Sequence, residues 1–315
     1  MEFKNIGSSG LQVSIVGLGC NNFGMRIDLD QTKVVVNTAL DAGINFFDTA
    51  DVYGGNGKSE EFLGQALGGR RHEVVVATKF GMAMGQGQHL QGGASRRYVI
   101  AATEASLRRL GTDYIDLLQV HFPDAKTPIE ETLRALDDLV RAGKVRYIGS
   151  SNLSGWQALE AHFVAKQAGL TQYISAQNEY NLLLRGIEGD LVPVAQKYGI
   201  GVLPYFPLAS GFLTGKYKRG EEAPAGTRFG EWFKGPYGAR TINDRNFDIL
   251  EKLQAFAEAR GKTVLEAALS WLACKPYIPS VINGATKPEQ IKQNVEAASW
   301  KLSSEEMAEI DGLAK

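Results

Sequence analysis

The sequence predicts an α/β fold, a single (β/α)8 TIM barrel over residues 1–315 with an N-terminal β-hairpin. Short β-type runs recur eight times, and each is followed by a stretch with helical periodicity. No linker, internal repeat or low-complexity segment divides the chain. Strict alternation of strand and helix implies a parallel sheet with crossover helices, and eight such units can close into a barrel. A doubly wound open sheet is the rival arrangement.

Residues 3–14 carry Gly-Ser-Ser-Gly at 7–10 between two strand-like runs and read as a hairpin that could plug the barrel floor. The eight strands are expected at residues 15–18, 45–48, 74–79, 115–120, 145–150, 173–177, 202–205 and 280–282. Helical periodicity follows them at 32–42, 60–66, 98–110, 128–142, 156–168, 190–198, 248–260 and 288–297. Several of these stretches end on glycine, at Gly43, Gly143 and Gly199, where a helix commonly turns left-handed. Residues 263–274 form an extra helix just before the last strand. Two connections, 81–97 and 213–243, are longer than usual and read as lids over the C-terminal face. The second contains Phe229, Trp232, Phe233 and Tyr237, and substrate specificity is expected from residues 82–97 and 229–237.

Composition narrows the function classes. The chain has 34 Lys and Arg against 35 Asp and Glu, a formal net charge of −1, so nothing points to nucleic acid or an anionic membrane. No apolar run approaches the ~20 residues that span a bilayer. The first residues show neither a basic nor an apolar leader region, and Cys20 and Cys274 lack metal-ligand spacing, so a reducing cytoplasm is expected and no metal site.

Polar residues gather at the expected strand ends. Asp48 closes the second barrel strand, Tyr53 lies in the loop after it, Lys79 closes the third strand and His121 follows the fourth. In a barrel these positions share one face. A tyrosine with an ordinary pKa near ~10 is a poor acid at neutral pH, and a neighbouring ammonium such as Lys79 would stabilise its phenolate and lower that value. Asp48 can balance and orient the lysine, and His121 can donate a hydrogen bond to a substrate oxygen, so the set suits proton delivery to a developing alkoxide. Singly, each residue reads equally well as a structural strand-end group; the joint placement is what points to chemistry.

No dinucleotide-binding glycine fingerprint is present: Gly17-Leu18-Gly19 begins one, but Asn22 stands where the third glycine belongs. The segment after the eighth strand is the alternative phosphate site. There Thr286 and Glu289 form a capping box, Gly284 allows close backbone approach, and Lys287 stands beside a helix N-terminus. Gln290 and Asn294, four residues apart, share one helix face. Cys20 reads as a small packing residue without a charged partner.

The run from Gly43 to Gly54, Gly-Ile-Asn-Phe-Phe-Asp-Thr-Ala-Asp-Val-Tyr-Gly, resembles the signature of the aldo-keto reductases, and Lys58-Ser59-Glu60-Glu61-Phe62-Leu63-Gly64 continues it. Residues 113–121, 149–152 and 177–182 are similar to the family's fourth, fifth and sixth strand ends, and the likeness extends over essentially the whole chain. The pattern is nearest to the branch that includes bacterial reductases and potassium-channel β-subunits. The resemblance implies hydride transfer from NADPH to a small-molecule aldehyde or ketone, with Tyr53 as proton donor, Lys79 and Asp48 as its tuning pair, and His121 orienting the carbonyl. It also assigns Ser151, Asn152 and Gln177 to the nicotinamide amide and Tyr205 to the nicotinamide ring. The segment Tyr205-Phe206-Pro207-Leu208-Ala209-Ser210-Gly211 matches the family's cofactor segment. Lys216 and Arg228 match phosphate-binding positions. Thr286, Gln290, Gln293 and Asn294 match contacts to the adenosine end. Phe206 stands where serine is common, so one hydroxyl contact to phosphate is lost. Two other functions fit the residues less fully: an NADPH-binding regulatory or scaffold protein with little turnover, and a barrel isomerase or lyase that uses no nicotinamide.

Overall fold

The computed structural model describes residues 1–84, 92–231 and 235–314. The chain opens with an antiparallel hairpin, β1 (Phe3–Asn5) and β2 (Gln12–Ser14), which pairs Phe3 with Ser14 and Asn5 with Gln12. Eight parallel strands follow: β3 (Val16–Gly19), β4 (Phe46–Asp48), β5 (Val75–Phe80), β6 (Ile115–Val120), β7 (Val145–Ser151), β8 (Tyr173–Glu179), β9 (Gly201–Tyr205) and β10 (Val281–Gly284). Their order is β10-β3-β4-β5-β6-β7-β8-β9, and β9 lies against β10, so the sheet curls into a nearly closed (β/α)8 barrel. The eight expected runs therefore coincide with the eight barrel strands.

The helices are α1 (Leu29–Asp41), α2 (Tyr53–Asn56), α3 (Lys58–Leu67), α4 (Arg96–Leu110), α5 (Ile129–Arg141), α6 (Gly155–Ala168), α7 (Leu191–Tyr198), α8 (Arg228–Glu231), α9 (Pro236–Thr241), α10 (Asp244–Glu258), α11 (Val264–Ala273), α12 (Pro288–Ala297) and α13 (Ser304–Leu313). Their ends follow from cap chemistry. Asp28 accepts from the Gln31 N–H at the start of α1, Ser95 from Tyr98 at the start of α4, and Ser154 with Gln157 closes a capping box on α6. Gly43, Gly143 and Gly199 are left-handed, as expected of glycines just past a helix. Of the two longer helices between β9 and β10, α11 packs on β10 and α12, whereas α10 packs on α11 and α13. The ring position therefore belongs to α11, the segment expected to be extra. Its apolar character, with Leu269, Trp271 and Leu272 fully buried, fits a helix covered on both sides.

Strand alternation divides the barrel interior into layers. Phe46, Val75, Ala77, Leu117, Leu203 and Ile282 point inward and cluster with Ile6 and Val13 of the hairpin, which plugs the floor as expected. Two residues further along the same strands, the inward positions hold Asp48, Lys79, Gln119, Tyr205 and Gly284. An apolar floor thus carries a polar upper layer at the strand C-termini. A second, larger apolar cluster fills the space between the barrel wall and the helices.

Gly17 shows how tightly the floor is filled. A Cβ there would lie 2.8 Å from the Phe46 ring and 2.9 Å from Ser280 Oγ. Its glycine serves packing inside the barrel, not a phosphate turn. Gly17→Ala is expected to destabilise the fold by about 1–3 kcal/mol in urea unfolding, and unchanged stability would contradict this packing.

Candidate active site

Lys79 and Asp48 form the centre of the upper layer. Lys79 has no exposed surface, and its Nζ donates to Asp48 Oδ2 at 2.7 Å and to the Thr49 carbonyl at 2.9 Å. The other carboxylate oxygen, Asp48 Oδ1, accepts from Gln177 Nε2 at 2.8 Å and from Gln119 Nε2 at 3.3 Å. Both charges are therefore paired and hydrogen-bonded, as buried ions must be. Burial pushes the Lys79 pKa down, but the Asp48 carboxylate and the Tyr53 phenol outweigh it, and the net direction is up.

Tyr53 begins the short α2 turn, in which Gly54 and Gly55 are left-handed with φ of 70° and 73°. A Cβ on Gly54 would sit 2.6 Å from the Phe23 carbonyl oxygen, so this glycine lets the turn fold flat against its neighbour. The result sets the Tyr53 ring 5.0 Å from Lys79 Nζ and edge-on to the His121 ring at 5.7 Å. The phenol pKa departs from the sequence expectation. Burial raises it more than the Lys79 ammonium lowers it, with Asp48 adding to the rise, so the net direction is up. Near neutral pH the phenol is fully protonated and remains an acid with a proton to give.

His121 is buried, its Nδ1 has no hydrogen-bond partner, and its ring stacks on Phe122 at 5.3 Å. Burial, then the Lys79 charge, pulls its pKa down to about 3, which keeps the imidazole neutral. Cys20 lies nearby and donates its backbone N–H to the Asp48 carbonyl. It therefore does have charged neighbours, Asp48 and Lys79, but burial pushes its thiol well above the ordinary range, in keeping with a packing role.

Tyr53, His121 and Asp48 line one cleft of about 680 Å³, with Lys79 sealed beneath it. Except for Ala209, the residues matched to cofactor positions line the same cleft. Ser151, Asn152 and Gln177 are tied together, because Ser151 Oγ and Asn152 N–H both donate to the Gln177 carbonyl, and Tyr205 OH donates to Asn152 Oδ1 at 2.8 Å. From the loop after β9 come Pro207, Leu208, Gly211 and Lys216, and from α8 comes Arg228. Gly284, Thr286, Lys287, Gln290, Gln293 and Asn294 supply the wall after β10. The sequence reading overlooked Asn21, Asn22 and Arg26, which follow the first barrel strand and line the cleft too. Their position just beyond a strand C-terminus was the available signal. Asn22 Nδ2 donates to the Ala285 carbonyl and joins the loops after β3 and β10.

Two expectations need correction. Thr286 and Glu289 make no capping box. The N-cap of α12 is Lys287, which has no side-chain cap, and Gln290 Oε1 instead accepts from the Thr286 N–H at 2.8 Å. Pro288 explains the shift, since proline favours the first helical position and holds the preceding residue extended. Phe229 is buried edge-on against Tyr217, not directed at the cleft. Trp232 and Phe233, like residues 85–91, lie outside the described residues. Phe206, in place of serine, lies 5.5 Å from the Arg228 guanidinium, so that ring supports a cation.

Backbone strain gathers here. Asn152, Phe206, Ala209 and Ser210 have φ between 45° and 61°, and three of the four line the cleft. Such conformations cost of order 1–3 kcal/mol each and concentrate at functional sites. Lys216 sits partly buried among like charges: burial lowers its pKa, and Arg228 and Arg26 lower it further. Cations converging on a cleft suit a phosphate-bearing ligand. Among the described residues, no group of three or more His, Cys, Asp or Glu side chains is placed to hold a metal ion. No described helix is long and apolar enough to cross a membrane.

Behind the Tyr53 turn, Asp51 is fully buried and neither carboxylate oxygen has a hydrogen-bond partner. Burial, then the Glu60 carboxylate, pushes its pKa up to about 7, against the opposing pull of Arg109.

Comparison with known proteins gives a consistent result. A model of the family described as "Aldo/keto reductase family" matches residues 15–315. A protein of Oryza sativa subsp. japonica named probable voltage-gated potassium channel subunit beta is 41% identical over 303 residues, covering 94% of this chain and 91% of the relative. A protein of Arabidopsis thaliana with the same name is 40% identical over 306 residues, with the same two coverages.

Two outcomes follow from the perturbed groups. His121 stays neutral, so its imidazole NMR signals are expected to hold still from ~pH 5 to ~pH 8; a midpoint between ~6 and ~7 would contradict its burial. Asp51 holds its proton more tightly folded than unfolded, so its contribution to stability declines as pH rises from its unfolded pKa, ~4, towards its folded value of about 7. The stability gained in Asp51→Asn should therefore grow with pH across that window, as read by denaturant unfolding; a pH-independent difference would refute the shift.

Proposed function

The chain belongs to the aldo/keto reductase family, and on that premise we propose that it reduces an aldehyde or ketone to the alcohol with NADPH and uses Tyr53 as the proton donor. The observation that carries this reading is the buried Lys79–Asp48 pair, held behind a tyrosine that faces a neutral histidine at the end of a cleft. Members of the family carry out NADP-dependent carbonyl reduction in general.

The residues suit the cofactor. Arg26, Lys216 and Arg228 face a common space where phosphate would relieve their mutual repulsion, and Lys287 stands at the start of α12. Ser151, Asn152 and Gln177 offer donors and acceptors for a carboxamide, and Tyr205 offers a ring wall. Gln290, Gln293 and Asn294 share a helix face toward the adenosine end. When bound, NADPH supplies the hydride to the carbonyl carbon.

The chain's own groups handle the proton. His121 donates a hydrogen bond to the carbonyl oxygen and fixes its direction. Tyr53 passes its phenol proton to that oxygen as negative charge develops. The phenolate left behind is stabilised by the Lys79 ammonium, and Asp48 keeps that ammonium charged and in place. Bulk solvent then restores the tyrosine proton.

The relatives named as channel β subunits favour a second reading, an NADPH-binding subunit of a larger assembly with little turnover. One assay separates the two. Loss of NADPH absorbance near ~340 nm with reactive aldehydes is expected, and Tyr53→Phe should lower kcat by about 10²–10⁴-fold with NADPH affinity essentially unchanged. Unchanged turnover in that variant would remove Tyr53 from its role, and tight NADPH binding without turnover of any aldehyde would favour the second reading.

A further inference from the structure

Two cations of the cleft, Lys216 and Arg228, hang on a stretch of chain that has no helix or strand of its own, residues 215–227. The stretch is closed on its inner side. Tyr217 is buried, stacked on Phe212 and edge-on to Phe229 at 5.3 Å, so residues 218–228 form a loop whose ends meet. Lys216 and Arg228 also repel each other, and Arg26 repels Lys216 from the opposite wall. A loop that presents like charges to a common space needs a fastening on its outer side.

Arg219 supplies it. Its Nε donates to Glu251 Oε1 at 3.1 Å and its Nη1 to Asp244 Oδ1 at 3.2 Å. Its Nη2 donates to Asp248 Oδ1 at 2.5 Å and to Glu251 Oε2 at 3.3 Å. The guanidinium also lies 5.5 Å from the Phe247 ring. Asp244, Asp248 and Glu251 follow the helical repeat of α10, so one face of that helix presents all three carboxylates. Exposed ion pairs contribute little singly, but a planar fork that meets three carboxylates fixed on one helix loses little freedom per bond. No residue of α10 lines the cleft, and the helix itself packs on α11 and α13. The grip therefore ties a cleft loop to the outer wall of the barrel.

We propose that Arg219 is a positioning residue for the cofactor: by gripping the acidic face of α10 it holds residues 218–228 where Lys216 and Arg228 meet the NADPH phosphates. Without the grip the loop must be ordered each time the cofactor binds, and that entropy is taken from the affinity. The inference rests on the reading of this cleft as the NADPH site.

The test is NADPH affinity of the full chain, read by fluorescence titration at low salt. Arg219→Gln is expected to raise Kd about fivefold, and Arg219→Lys, a point charge that cannot fork, about twofold. The paired change Asp248→Asn with Glu251→Gln identifies the cause. Removing two negative charges would tighten the binding of an anion if only the long-range field mattered, whereas loss of the grip should weaken it about fivefold. The triple variant should bind no more weakly than Arg219→Gln alone. An unchanged Kd in Arg219→Gln, tighter binding in the acid-pair variant, or losses that multiply in the triple variant would overturn the inference while the cleft remains the cofactor site. Absence of NADPH binding to the unaltered chain would overturn both.

Discussion

A lysine ammonium sealed inside a barrel is the constraint on which the site depends. Removing an ammonium and a carboxylate from water costs several kcal/mol per ion, and only close pairing with fully used hydrogen bonds offsets it. Lys79 and Asp48 meet that condition through Thr49, Gln119 and Gln177, drawn from three further positions on the barrel wall. The pair therefore fixes more than itself. It sets the depth of the polar layer, holds two glutamines in defined rotamers, and gives the Tyr53 phenol a charged neighbour that water cannot screen.

The same arithmetic of alternation explains why chemistry lies at one end. Inward positions two residues apart change from Phe46 to Asp48, from Ala77 to Lys79, from Leu117 to Gln119 and from Leu203 to Tyr205. Below this step the barrel is an apolar plug closed by Ile6 and Val13; above it, the inward side chains of Asp48, Lys79, Gln119 and Tyr205 can hydrogen-bond. Loops added past the strand ends then build the cleft without disturbing the core, and their positive-φ residues are tolerated because the barrel holds them in place.

Much of this was legible in the sequence. The eight strands could be read because short apolar runs alternate with helical periodicity, and the four central residues because they fall at strand ends. Effects that depend on three-dimensional context were not legible. The capping chemistry of α12 turned on Pro288 displacing the cap by one residue. The Tyr53 pKa turned on burial outweighing a cation that sequence alone suggests should win. The ring position of α11 over α10 depended on what covers each helix. Asn22 and Arg26 were missed because the preceding glycines invited comparison with a fingerprint, although their place after a strand end marked them equally well.

The most direct test of the account is a double-mutant cycle on the central pair, with Asp48→Leu, Lys79→Met and the double variant compared by unfolding free energy. Either single change strands a buried charge and is expected to cost about 3–5 kcal/mol, whereas the double variant should cost no more than the worse single change. Additive losses would show that the two side chains stabilise the barrel independently, and would contradict the pair as the organising interaction of the site.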